Sequence, residues 1–300
     1  MDDACFLAKG LEIAGCRPQR LAVRAQLRRF REMCGCSPLV VRQVWNDLQG
    51  NIDAKVDHLF WALCFSKRCP AEGDLAGRLQ KDPKTIAKWV WTVTFGIADL
   101  RADKVSVSDC QVLTTKPLSH LLHSKIRFPT GDDANLVFIV SVDGTDCPIQ
   151  EPRPFNRQWF SHKFKGAGVR HEVAICALTG KCAWMNGPFR AGASEMSTFR
   201  SSLIHLMPDG KHAAGDKGLR GEPEKVSAPN PMDDPSDARF KALTRARHET
   251  FDARLKSFSV LSNRFRHRPA MEKHQACFVA VAVLVQHSLE LGNPLFQLQN

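Results

Sequence analysis

Tyrosine does not occur once in the 300 residues. The absence has no evident physical reason, but it removes the phenol from every position considered below. No basic-then-apolar signal peptide opens the chain, because Met1-Asp2-Asp3 begins it with acids, so the protein is expected inside the cell. Nor is any apolar run long enough for a bilayer. The run from Phe278 to Val285 is far short of the roughly 20 residues a membrane helix needs, and it reads as a buried helix. A disulfide framework is not expected either, since eleven cysteines are an odd number scattered over the whole length. Cys34-x-Cys36 and Cys64-x4-Cys69 have the form of zinc half-sites. No Cys/His pair of matching spacing follows them, which argues against structural zinc. Internal repeats are absent.

What the chain does carry is positive charge. Lysine and arginine number 42 against 31 acids, a formal net charge of +11 with a pI near 9.3. That balance points to a polyanionic partner, with nucleic acid first, while an apolar fraction of 43% is that of a globular chain. Arg17, Arg20, Arg24, Arg28 and Arg31 recur every three or four residues, with Val23, Leu27 and Phe30 on another side. The pattern is a basic amphipathic helix, either a solvated face or a row of phosphate contacts or a localisation signal.

Residues 56–100 read as helices. Asp82-Pro83 is an N-cap followed by proline at the first helical position, so a new helix carrying Ile86, Val90 and Trp91 inward should start there. Two helices joined by a tight turn follow the helix-turn-helix plan, which would put Lys81, Lys84, Thr85 and Lys88 where base and phosphate contacts are made. The competing reading is an ordinary helical hairpin. The pattern dissolves from Arg101 to Asp133 into a connector, giving an expected division into a helical N-terminal region, 1–133, and a second domain, 134–300.

In the second domain the period changes. "NLVFIVSVDG" is a buried strand, "HEVAICALTGKCAWMNGPF" two strands turning at Thr179-Gly180, and "KHAAGD" another short strand. Helices are expected over Ser194–Met207, about Arg239–Ser257 and Met271–Leu291, with a polar loop over 217–238. Two strands end on acids, Asp143 before Gly144 and Asp216 before Lys217-Gly218. If they are sheet neighbours, both carboxylates emerge at one edge. A third acid, Glu249, lies in "RARHETFDARLKSF". Helical arithmetic puts it away from the stripe of Leu243, Arg247, Phe251, Leu255 and Phe258, on a solvated face. Three converging carboxylates make sense around a hard cation, Mg²⁺ or Mn²⁺, and two such ions about 3.5–4 Å apart serve phosphodiester displacement.

"SVDGTDCPIQEPRPF", "SHKFKGAGVRHEVAI", "WMNGPFRAGASEMSTFR", "AAGDKGLRG" and "RARHETFDARLKSFSVLSNRFRH" resemble, in order, the motifs of the DDE superfamily endonuclease domain of PIF/Harbinger-type transposases and their domesticated relatives. The resemblance runs from about Val137 to Leu291. It implies an α/β, RNase H-like mixed sheet flanked by helices, preceded here by the all-α region with its helix-turn-helix-like segment. It also implies a catalytic, metal-ligating triad of Asp143, Asp216 and Glu249, with Asp143 bridging two Mg²⁺ or Mn²⁺ ions. Two positions depart from the family pattern: Glu195 stands where an aspartate is usual, and Leu219 where tyrosine is usual.

Arg157, Lys163 and Lys165 lie with Trp159, Phe160, His162 and Phe164 in a basic, aromatic stretch suited to tracking and stacking on DNA, or to a solvated loop anchored by its aromatics. Arg264 and Arg266, with His267 and Arg268, form a second basic cluster. The expected activity is transposase-derived, metal-dependent DNA cleavage with strand transfer as a further step. The alternative is a domesticated or decayed DNA-binding or adaptor protein without catalysis. By resemblance the location is nuclear, and the partners are DNA, a separate DNA-binding protein and further copies of the chain, with no membrane.

Overall fold

The computed structural model describes residues 1–16, 21–104, 126–127, 137–154, 156–177, 179–207 and 210–298. Arg17 and Arg20, and most of the connector expected over 101–133, lie outside these. The chain divides into two compact units, 1–104 with 254–294, and 105–253 with 295–300. The linear division at 133/134 groups the C-terminal helix with the second domain, whereas by packing that helix counts with the first hundred residues.

The regular elements of unit 1 among its described residues are helices: α1 (Asp3–Ile13), α2 (Val23–Cys34), α3 (Pro38–Leu48), α4 (Val56–Arg68), α5 (Glu72–Leu79), α6 (Pro83–Asp99), α7 (Arg101–Lys104), α10 (Ser259–Ser262) and α11 (Ala270–Glu290). Its helix starts are written in the sequence. The Ser37 hydroxyl accepts from the Val40 N–H, and the Asp82 carboxylate from the Thr85 N–H at 3.0 Å, each ahead of a proline at the first helical position. Helix α11 packs against α3, α6, α7 and α10 and is buried almost all round from Ala276 to His287. A helix apolar on every side is stable only inside a core. Phe6, Phe30, Phe60, Phe65, Phe265 and Phe278 are fully buried, each worth roughly 1.5–3 kcal/mol of apolar burial. Among the described residues no helix is long and apolar enough to cross a membrane, and no disulfide links the described cysteines.

Unit 2 is built on a mixed sheet of β1 (Ile126–Arg127), β2 (Val137–Pro148), β3 (Phe160–Ser161), β4 (Gly166–Cys176), β5 (Cys182–Arg190), β6 (Lys211–Ala214) and β7 (Val226–Ser227). The central order is β5-β4-β2-β6-β7, with β5, β4 and β2 antiparallel to their neighbours and β2, β6 and β7 parallel. The two-residue strands β1 and β3 pair with β2 and β4. Alternation along β2 distributes its side chains between two helices. Val140 and Val142 pack with Phe199 of α8 (Glu195–Arg200) and with Leu203, while Ser141 bonds His248 of α9 (Pro235–Lys256).

Several elements differ from the sequence pattern, among them β7 and the 3₁₀ turn Lys217–Leu219, which fall within the polar loop expected over 217–238. The first strand does not stop at Asp143 but runs to Pro148, because β4 continues to pair with it through Pro148↔Gly168. The helix expected over Ser194–Met207 is broken into α8 and a 3₁₀ turn at Leu203–Leu206. There the Ser201 and Ser202 hydroxyls bond back to the Thr198 carbonyl and compete with helix propagation. Helix α9 starts at Pro235, four residues earlier than the expected start near Arg239, where the Asp234 carboxylate accepts from the Ser236 and Asp237 N–H groups.

Candidate metal centre

The parallel pairing of β2 with β6 ends at Ser141↔Ala214. Asp143 and Asp216 each lie two residues beyond that pair, so equal offsets bring both acids to the same level just past the end of the β2–β6 pairing, while β2 itself stays paired with β4. Local backbone bonds then hold them. The Asp143 carboxylate accepts from the Gly144 N–H at 2.6 Å, and the Asp216 carboxylate from the Gly218 N–H at 2.7 Å, where Asp216 caps the 3₁₀ turn Lys217–Leu219.

A third carboxylate arrives from α8. Ser194 caps that helix, its hydroxyl accepting from the Ser197 N–H at 3.0 Å, and this places Glu195 on the first helical residue. Oxygens of Asp143, Glu195 and Asp216 lie within 4.8 Å of one another, and all three residues are half-buried. Gly218 makes the approach feasible, because a Cβ there would sit 2.2 Å from Glu195 Oε2. Burial, and then the Asp216 charge, hold the Glu195 carboxyl above its usual range.

Two cations neutralise the other side of the cluster. Lys163 Nζ lies 3.3 Å from Glu195 Oε1 and donates to the Gly144 carbonyl at 2.8 Å. Burial alone would lower its pKa, but Asp143, Glu195 and Asp146 together raise it. Arg170 is nearly buried and forks onto Asp146, Nε to Oδ1 at 2.7 Å and Nη2 to Oδ2 at 3.2 Å. Its Nη1 donates to the Ala193 carbonyl at 2.7 Å, fixing the chain just ahead of α8. Ser161 Oγ completes the group on Asp146 Oδ2 at 2.6 Å. Three carboxylates are hard oxygen donors, and the Lys163 ammonium beside them shows that the cluster accommodates positive charge. The donor set therefore fits a divalent cation of the Mg²⁺ or Mn²⁺ kind.

Of the three acids singled out in the sequence, the structure brings together Asp143 and Asp216 but not Glu249. The Glu249 side chain is 65% exposed and pairs along α9 with Arg245 at 3.5 Å, whereas that of Glu195 is 15% exposed. The reason is helical phase. Arg247 and Phe251 are fully buried, and a residue midway between them points roughly the opposite way. Arg245 itself lines a cavity of about 20 Å³ with Asp143, Asp216, Thr244 and His248, so Glu249 stands one helical turn beyond that wall.

The basic residues singled out for DNA are spread over the surface. Lys84, Thr85 and Lys88 are exposed on the first turns of α6, with Lys88 over the Trp89 ring; α5 and α6 are joined through Gln80–Asp82. Arg157 and Lys165 are exposed near β3, and Arg264 and Arg266 are exposed between α10 and α11. Lys163 alone among them reaches the carboxylates.

Sequence reasoning missed Asp146, Arg170, Ser141 and His248 as supports of the site. Asp146 and Arg170 are legible only through the β2–β4 register, which pairs them directly. His248 Nδ1 meets Ser141 Oγ at 3.0 Å, and burial followed by the Arg247 charge pushes the imidazole down to about 3, so it is neutral. Neither the curated proteins nor the solved structures contain a match to this chain. Residues 142–286, the stretch that holds all of these acids, match the sequence profile of the family described as DDE superfamily endonuclease.

Proposed function

We propose that the chain is a transposase-derived DNA endonuclease of the PIF/Harbinger kind, with an RNase H-like catalytic part within residues 134–300. The observation that carries the reading is the convergence of Asp143, Glu195 and Asp216 from β2, α8 and the end of β6, inside a segment that matches an endonuclease family. Mg²⁺ or Mn²⁺ ions held by these acids would supply Lewis-acid polarisation of the phosphate and ease deprotonation of the attacking water or 3′-hydroxyl. The protein's own part is preorganisation. Backbone N–H groups fix Asp143 and Asp216, the Arg170–Asp146 fork fixes the approach to Glu195, and Lys163 places a cation beside the phosphate. In this reading Asp143 and Asp216 are catalytic metal ligands, and the third carboxylate is Glu195 by proximity or Glu249 by family motif. Arg157, Lys165, Arg264 and Arg266, and Lys84, Thr85 and Lys88 of a helix-turn-helix-like pair, contact the duplex. Strand transfer, a nuclear location, a separate DNA-binding partner and self-association belong to the same proposal.

The test is nicking of supercoiled plasmid at low salt with Mg²⁺ or Mn²⁺. Asp143→Asn should reduce nicking to background with an unchanged melting profile; a variant that still cuts removes Asp143 from the site. Mn²⁺ titration of Glu195→Gln and Glu249→Gln identifies the third ligand, since the true one should weaken binding about 10-fold or more. The second reading is a recruited DNA-binding or adaptor protein without cleavage. Lys163, already neutralising Glu195, favours it, as do the departures at Glu195 and Leu219. A folded protein that binds DNA but takes up no Mn²⁺ at these acids would establish that reading.

A further inference from the structure

Positive charge is not shared evenly along the chain. Residues 1–104 and 254–294 hold 23 of the 42 lysines and arginines against 14 of the 31 acids, whereas the remainder hold 19 against 17. Nearly all of the net charge therefore belongs to the helical unit, away from the carboxylate centre in sequence. Part of it is concentrated along α2. This helix buries Phe30, Met33 and Cys34, and its opposite side lines a groove of about 780 Å³ with Arg24, Arg28, Arg31 and Lys67.

Four cations there face a single acid, Glu32, which is drawn to Arg28 at 3.7 Å. Arg24 and Arg31 have no acidic partner among the described residues. Lys67 is held in place, its ammonium donating to the Ser257 carbonyl and lying over the Phe258 ring at 5.2 Å. Gly35 closes the end of the helix in the left-handed region, φ 80°, with the Phe258 ring packed where a side chain would be.

We infer that this groove seats the phosphate backbone of duplex DNA. Arg24, Arg28 and Arg31 fall at i, i+4 and i+7, about 10 Å from first to last at 1.5 Å per residue, so they form a row of cations able to meet successive phosphates of one strand. Guanidinium forks suit phosphate oxygens bidentately. The lining contains no aromatic residue, and so lacks the buried anchor on which protein partners depend. The choice of DNA over other polyanions rests on the nuclease reading above; the groove itself is independent of the carboxylates.

The experiment uses the full chain in EDTA, so that no cleavage occurs, with a fluorescein-labelled 30-bp duplex followed by anisotropy from about 50 to 200 mM KCl. Arg24→Glu with Arg31→Glu should weaken binding at least ~10-fold and flatten the log Kd against log salt slope by about 2, at roughly 0.9 per lost phosphate contact. Arg78→Glu with Lys256→Glu, an equal change of net charge at other exposed positions, should leave the slope nearly unchanged. Arg24→Gln with Arg31→Gln gives a milder version if the reversal unfolds the helix. Equal slopes in wild type and groove variants, or equal losses in the control pair, overturn the inference. So does a polyglutamate peptide that binds wild type as tightly as DNA and is lost in the groove variants, which would assign the groove to an acidic protein. Nicking lost in Asp143→Asn with DNA binding unaltered by the groove variants would sink the groove and spare the nuclease reading; the reverse pattern would do the opposite.

Discussion

In the helical unit the ring of His274 is fully buried against the edge of Phe265 at 5.0 Å, and burial pushes its pKa down to about 3. The hydroxyl of Thr94 turns back onto the Val90 carbonyl of its own helix at 2.7 Å. The His274 imidazole is neutral and set against an aromatic ring, and the buried His287 meets an acid at one point, Nε2 to Asp47 Oδ2 at 3.2 Å. In the sheet unit several buried polar groups are charged or linked in chains: Asp146 with Arg170 and Ser161, Glu172 with Ser202, and Arg247 with the Cys176 and Ala177 carbonyls. Buried ionic networks cost desolvation that an apolar core avoids. The sheet unit bears that cost on strands leading to the three acids, where orientation of side chains matters more than stability.

Breaking the contrast is a matter of removing one such group at a time. The largest effect is expected at Arg247, the bulkiest fully buried side chain, whose Nη2 donates to Ala177 O at 2.8 Å. Arg247→Ala leaves a cavity and an unsatisfied carbonyl and should cost roughly 3 kcal/mol or more in urea unfolding. Arg247→Met should recover most of that loss, because Nε and Nη1 have no partner and their burial is itself unfavourable. A fully destabilised methionine variant would mean the charge, not the volume, is what α9 requires.

A smaller effect sharpens the same point through pH. Burial raises the Glu172 carboxyl from 4.5 to about 7. The folded state therefore holds this proton more tightly than the unfolded chain, so the group's contribution is most favourable below pH 4.5 and is lost as pH rises towards 7. Between pH 5 and 8 that amounts to roughly 2–3 kcal/mol. Glu172→Gln, which keeps a neutral polar group within hydrogen-bond distance of Ser202 Oγ, should flatten the unfolding free energy over that window. An unchanged pH slope would show that Glu172 is not the group responsible.

The smallest test lies in the helical unit. Gly35→Ala places a Cβ 2.3 Å from Phe258 Cε1 at a positive φ and should cost about 2 kcal/mol, with no change in pH dependence. A pH-dependent loss there would erase the distinction between an apolar and an ionic interior.

Much of the architecture was legible because it is local. The Asp82-Pro83 start of α6, the basic stripe of α2 from Val23 onward, the all-round apolar α11 and the strand pairs β4 and β5 each follow from residues within one or two turns. The break in the helix after Arg200 was less legible, since Ser201 and Ser202 disrupt it through side-chain bonds rather than through a glycine or proline. At the site, Asp143-Gly144 and Asp216-Lys217-Gly218 stood out as acids at strand ends. Glu195 was noticed only as a departure from a motif, because nothing in its neighbourhood says that Gly218, 23 positions later, leaves room for it.

By itself, then, the sequence determined most of the longer helices and strands, that the net charge is strongly positive, and that two aspartates follow apolar strand residues. These depend on periodicity, capping and composition, all of which act over a few residues. Tertiary structure alone decided that Asp143 and Asp216 share one level of a parallel pair, that Glu195 joins them, and that Glu249 stands exposed beside Arg245. It also decided that Arg170 anchors Asp146 and that α11 serves the helical unit. Register, helical phase and close approach across the fold set these relations, and none of them is a property of neighbouring residues.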